Sequence, residues 1–183
     1  QCIVVRDLVT DNGRLHEDTD DWYAQAKDGT TWYCGEEVKN YESFRGDRPR
    51  RAELVNVNGS FKAGRDGAKA GIIFPNTPHV GDLIREEFSL GNAEDVSEIL
   101  STTYAPGGNA QLDQFVPVAL ASALCPNDCV VTKNTNLREP DMFALKYYAR
   151  GIGFFLEVSP ASGSILQLTS CNFDPRCVGL PQP

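Results

Sequence analysis

Along most of the chain apolar and polar residues alternate in short runs, and each run ends where glycine, proline, asparagine or aspartate gathers. Alternation with a period of two fits a half-buried strand, and such punctuation fits turns. The strongest signal is the stretch 14–37, where Asp28-Gly29 lies between aromatic and β-branched residues and predicts a hairpin. Both tryptophans, Trp22 and Trp32, fall on its two arms beside Tyr23 and Tyr33, which puts them on neighbouring strands. A strand over 2–10, turned by Asp11-Asn12-Gly13, completes a three-stranded meander with it.

Further strands are predicted over 38–41, 52–58, 72–74 and 82–89. The segment 95–104 also reads as a strand, because Ser101-Thr102-Thr103-Tyr104 suits a pleat better than the helix that Val96, Ile99 and Leu100 would allow. The runs 115–124 and 130–135 are expected to form a hairpin whose tip is Cys125 to Cys129. The last strands fall over 142–149, 152–158 and 165–169, with a turn at 137–141. The segments 44–51 and 59–71 read as loops, the first rich in arginine and the second in glycine. With no long amphipathic helix, the pattern predicts an all-β fold. We expect an antiparallel curled sheet or open barrel of sequential hairpins with disulfide-stapled loops, in one domain over 1–170 with a Cys- and Pro-rich tail over 171–183.

Composition narrows the function classes. A formal net charge of -8 disfavours a phosphate backbone, so nucleic acid is not an expected partner. No apolar run approaches the roughly 20 residues of a spanning helix, so no membrane span is expected. Six cysteines, an even number, accompany only two histidines, His16 and His79, and lack the paired CxxC spacing of zinc sites. Disulfides and an extracellular, secreted location follow from the redox logic of such chains. The short spacings suit Cys125 with Cys129 and Cys171 with Cys177, and the pairing adopted adds Cys2 with Cys34.

Several motifs resemble those of an uncharacterised family of secreted, largely bacterial proteins. They are Glu17-Asp18-Thr19, Asp21-Trp22-Tyr23-Ala24-Gln25, Asp28-Gly29, Trp32-Tyr33 and Gly35-Glu36, then Ala63-Gly64, Asp66-Gly67-Ala68, Gly71-Ile72, Arg85 with Glu87, and Ala93-Glu94-Asp95. Lys146-Tyr147-Tyr148 and Gly151-Ile152-Gly153 continue the pattern, so the resemblance spans nearly the whole chain. It implies a common fold and brings no activity with it. The chain departs from the family at Cys34, where an aromatic is usual, in the arginine-rich insert and in the cysteine-bearing loops. These departures imply an extracellular elaboration of the fold. Family members also carry further strand ahead of the segment matching residues 1–7, so an open sheet edge is expected at 2–10.

No nucleophile elbow or other catalytic constellation is visible, and no catalytic residue is assigned. His16 and His79 read as solvated. Among many carboxylates, Glu36, Asp66, Glu94 and Asp95 are the candidate ligands should the chain take calcium, a hard cation that prefers oxygen. Asn58-Gly59-Ser60 is an N-glycosylation acceptor, and Arg45-Gly46-Asp47 lies in an expected loop. The expected function is a non-catalytic structural or adhesive module that associates with itself or another extracellular protein. A carrier of a small apolar ligand and a calcium-binding secreted protein are the alternatives.

Overall fold

The computed structural model describes residues 1–139 and 141–183, so Pro140, inside the turn expected at 137–141, lies outside the described residues. The fold is all-β. Its strands are β1 (Ile3–Asp11), β2 (Arg14–Gln25), β3 (Thr31–Glu42), β4 (Glu53–Asn56), β5 (Phe61–Lys62), β6 (Lys69–Phe74), β7 (Leu83–Arg85), β8 (Glu87–Phe88) and β9 (Asp95–Tyr104). After helix α1 (Val118–Leu124) come β10 (Cys129–Asn136), β11 (Phe143–Ala149), β12 (Gly153–Ser159) and β13 (Ser164–Gln167). The chain divides into two compact units, one of residues 1–77 with 84–95 and the other of 78–83 with 96–183.

In the first unit the strand order is β1-β2-β3-β6-β8, with β4 and β5 also pairing β3, and these pairings are antiparallel. The predicted hairpin is the pair β2 and β3, closed by residues 26–30: Ala26 N–H donates to Thr30 O at 2.9 Å, and the Asp28 carboxylate accepts from Thr30 N–H at 2.9 Å. Trp22 and Trp32 therefore do sit on neighbouring strands. Tyr23 lies opposite Tyr33 and stacks on it at 5.0 Å, so the tryptophans beside them project from the other side of the sheet. The apolar core here is small: Tyr33, Phe61, Ala68 and Ala93 are buried, with Tyr23 and Ile73 packed against them.

The second unit holds the larger core, beneath the neighbouring strands β13-β12-β11-β10-β9. Tyr147, Leu156, Val158 and Val131 are fully buried there, and Tyr147 Oη donates to Leu112 O at 2.6 Å. Residues 118–124, expected to be a strand, instead form α1. Leu120, Ala121 and Leu124 fall on one helical stripe and are completely buried, and the alanine-rich segment has high helix propensity once Pro117 has ended the extended chain. The Cys125–Cys129 disulfide consequently staples a helix end to β10 rather than the tip of a hairpin. A second disulfide joins Cys171 to Cys177, and Cys177 and Leu180 are buried in this same core. The segment 95–104 is a strand, as its Ser-Thr-Thr-Tyr ending indicated, whereas 82–89 breaks into β7 and β8, and the glycine-rich 59–71 contains β5 and the start of β6.

Candidate functional site

Two features of the first unit stand apart from ordinary structural roles. The first is the edge of the sheet. β1 pairs with β2 on one side, and among the described residues no strand pairs with its other side. All nine of its residues are exposed, with Ile3 at 67%, Val4 at 56% and Leu8 at 52%, so neither face of the strand is covered. Its attachments to β2 are the ladder itself and the bidentate Arg6–Asp18 pair, at 2.8 and 2.9 Å.

The second is an acidic group on the face of β2 and β3 that carries the stacked tyrosines. The register slips between Trp22 and Tyr23: Tyr23 opposes Tyr33, but Trp22 opposes Gly35, leaving Cys34 as the extra residue of a bulge. In an unbroken strand residues 33 and 36 would face opposite sides. The bulge turns both to one side, where the Tyr33 hydroxyl meets Asp21 Oδ1 in a short hydrogen bond and lies 3.1 Å from Glu36 Oε2. Gly35 is needed at the bulge, because its φ is +137° and a Cβ there would lie 2.3 Å from the carbonyl oxygen of Phe61.

A tyrosine hydroxyl has one proton to give. Its two carboxyl contacts are both hydrogen bonds only when one carboxyl brings a proton of its own. Burial pushes Glu36 up to about 7, and the neighbouring charges of Asp21, Glu17 and Asp95 add to this. Asp21 is also raised, chiefly by burial, while Tyr33 pulls it the other way as a donor. Glu87 is pushed up to about 8 by burial and then by Asp95 and Glu36. When Glu36 is protonated it can donate to Tyr33 while Tyr33 donates to ionised Asp21, which satisfies all three groups. Glu86, only 2% exposed, belongs to the same acidic surroundings. Glu36 also reaches a cleft of about 530 Å³, with Glu37, Ser60, Lys62, Asp66 and Asn92 along its walls. Asn92 braces that wall by donating to Ser60 O at 2.8 Å, and Lys62 pairs with Glu37 at 2.8 Å while its ammonium lies 4.3 Å over the Trp22 ring.

The four calcium candidates are distributed among these features. Glu36 and Asp66 share the cleft, Asp95 lies within the electrostatic reach of Glu36, and Glu94 is tied to Arg85 at 3.0 Å and to Gly91 N–H at 2.7 Å. Among the described residues no three histidine, cysteine or acidic side chains converge as a metal-holding group. His16 and His79 are exposed, and Asn58 is exposed in the turn after β4. The disulfide expected between Cys2 and Cys34 is not closed: they are two thiols with sulfurs 3.1 Å apart. Burial and the adjacent Cys2 push the Cys34 thiol up to about 11.

Sequence reading singled out Glu36 but not its association with Tyr33 and Asp21, because that association depends on the bulge. The one available signal was Gly35, since a glycine inside a strand often marks a bulge or a close backbone approach. No family model, curated protein or solved structure matches the chain. No helix among the described residues is long and apolar enough to cross a membrane.

Proposed function

We propose that this chain is a non-catalytic extracellular module, structural or adhesive, that acts by associating with itself or with a partner protein along the open edge of β1. The observation that carries this reading is the exposure of all nine residues of an edge strand that includes Ile3, Val4, Val5, Leu8 and Val9. An unpaired edge presents backbone donors and acceptors, and solitary proteins usually blunt it with charge, proline or a covering segment. Here Arg6 is engaged with Asp18, leaving Asp7 as the other charge in the middle of the strand. Strand addition would satisfy the ladder groups and remove apolar side chains from water, each contributing about 1.5–3 kcal/mol if fully buried. Two disulfides support an oxidising, extracellular setting, where an exposed Asn58 would be open to glycosylation.

Sedimentation of the intact chain tests this reading. Dimers or larger species are expected at micromolar concentration, and the double variant Val4→Lys, Leu8→Lys should return the chain to monomer without loss of fold. Retention of the same assemblies by the lysine variant would overturn the role of β1.

A further inference from the structure

Cys2 and Cys34 differ from the other four cysteines in kind. The other four are closed in disulfides that each have a sulfur buried in the core of the second unit, Cys125 and Cys129 in one and Cys177 in the other, where its partner Cys171 is partly buried. Cys2 and Cys34 are only partly buried, and they lie at the two ends of a row that crosses three strands. Ile3 of β1 opposes Tyr23 of β2, and Tyr23 opposes Tyr33 of β3. Cys2 immediately precedes Ile3, and Cys34 is the bulged residue immediately after Tyr33. Their sulfurs, 3.1 Å apart, therefore meet from strands that are not hydrogen-bonded neighbours. The bulge makes this approach available, because the extra residue has no opposite number on β2 and its side chain is re-aimed out of the regular alternation.

We propose that Cys2 and Cys34 form a third, reversible cross-link, opened and closed by thiol–disulfide exchange, that clasps the edge strand β1 to β3 across β2. Closure requires the sulfurs to approach by about 1 Å, from 3.1 Å to the bonding distance of about 2 Å. The reaction balances with a small-molecule disulfide as oxidant. One cysteine thiolate attacks it, forming a mixed disulfide and expelling one small thiol. The second cysteine then displaces the other, so two S–H bonds are lost, one protein S–S bond forms, and the small disulfide is reduced to two thiols.

The clasp has mechanical meaning because β1 has so little else to hold it. The strand contributes no buried residue and is attached by one ladder and one exposed ion pair. A closed clasp tethers the beginning of β1, while an open one leaves it to fray from Ile3 onward. Its consequence for assembly rests on the edge-association reading above; the cross-link and its effect on β1 do not.

The experiment is peptide mapping combined with hydrogen exchange on the intact, folded chain, at a concentration where sedimentation finds only monomer. After treatment with oxidised glutathione and blocking of free thiols, a non-reducing tryptic digest should contain residues 1–6 joined to residues 28–39. Mild dithiothreitol should dissolve that link while sparing the two disulfides of the second unit. Closed-clasp protein should exchange its β1 amides about tenfold more slowly than the dithiol form, and Cys2→Ser should exchange at the dithiol rate under both conditions. Cys34→Ser provides the same comparison from the other side of the pair. Two blocked thiols after oxidation, glutathione adducts without the linked peptide, or a linked peptide with unchanged β1 exchange would each overturn the proposal. Because these readings are made on monomer, they succeed or fail independently of whether β1 mediates assembly.

Discussion

Tyr33 shows how much can depend on one hydroxyl. It touches both Asp21 and Glu36, in surroundings where burial favours the protonated carboxyl over its form in the unfolded chain. The sign follows from the raised values. Glu36 is lifted from 4.5 to about 7 and Glu87 from 4.5 to about 8, so between these limits the folded state binds more protons than the unfolded state, and stability falls as pH rises through the window. The contribution of these two groups is fully present only on the acid side of about pH 4.5. Carboxylates held low, such as Asp18 beside Arg6 and Asp174 beside Arg176, work in the opposite direction below their ordinary range. Glu36→Gln keeps an uncharged donor next to Tyr33 and should flatten the alkaline limb of the melting profile, gaining several degrees at pH 8.5 and little at pH 5.5. Trp22 and Trp32, both in this unit, offer fluorescence to follow it; identical pH profiles for variant and parent would contradict the protonated assignment. A second residue-scale expectation concerns Gly71, where a Cβ would lie 1.9 Å from the Glu86 carbonyl oxygen. Gly71→Ala should cost several kcal/mol, whereas Gly13→Ala, strained at φ +74° but unobstructed, should cost about 1 kcal/mol on denaturant titration.

At the scale of elements, what could be read in the sequence follows the range of the interaction that decides each one. The β2–β3 hairpin was legible because a local turn sets it, and 95–104 was legible because its last four residues suit a pleat better than a helix. Residues 118–124 were not, because a short run of alanine and leucine fits either period, and burial of Leu120, Ala121 and Leu124 against the second core selects the helix. The bulge at Cys34 was invisible for a related reason: register belongs to a pair of strands, and neither strand displays it alone. The acidic group around Tyr33 was thus legible as a list of carboxylates but not as a site. If burial stabilises α1, Leu120→Ala should lower unfolding stability by about 2–5 kcal/mol in denaturant. An effect below about 0.5 kcal/mol, the range of ordinary surface substitutions, would mean that the helix is not anchored there.

For the molecule as a whole, the two units differ in how they are held. The second has a broad apolar core and both closed disulfides, whereas the first has few buried apolar residues, a half-buried acidic group around Tyr33 and an uncovered edge. Such a division suits a module in which one unit supplies stability and the other presents a surface. The central claim is that this surface is the edge of β1, and hydrogen exchange of the intact chain across a concentration series tests it most directly. Association through the edge predicts that amides of β1 become protected as concentration rises into the micromolar range, while amides of α1 and of the strands in the second core do not change. Exchange in β1 that is independent of concentration, or protection that rises elsewhere while β1 remains fast, would contradict the account.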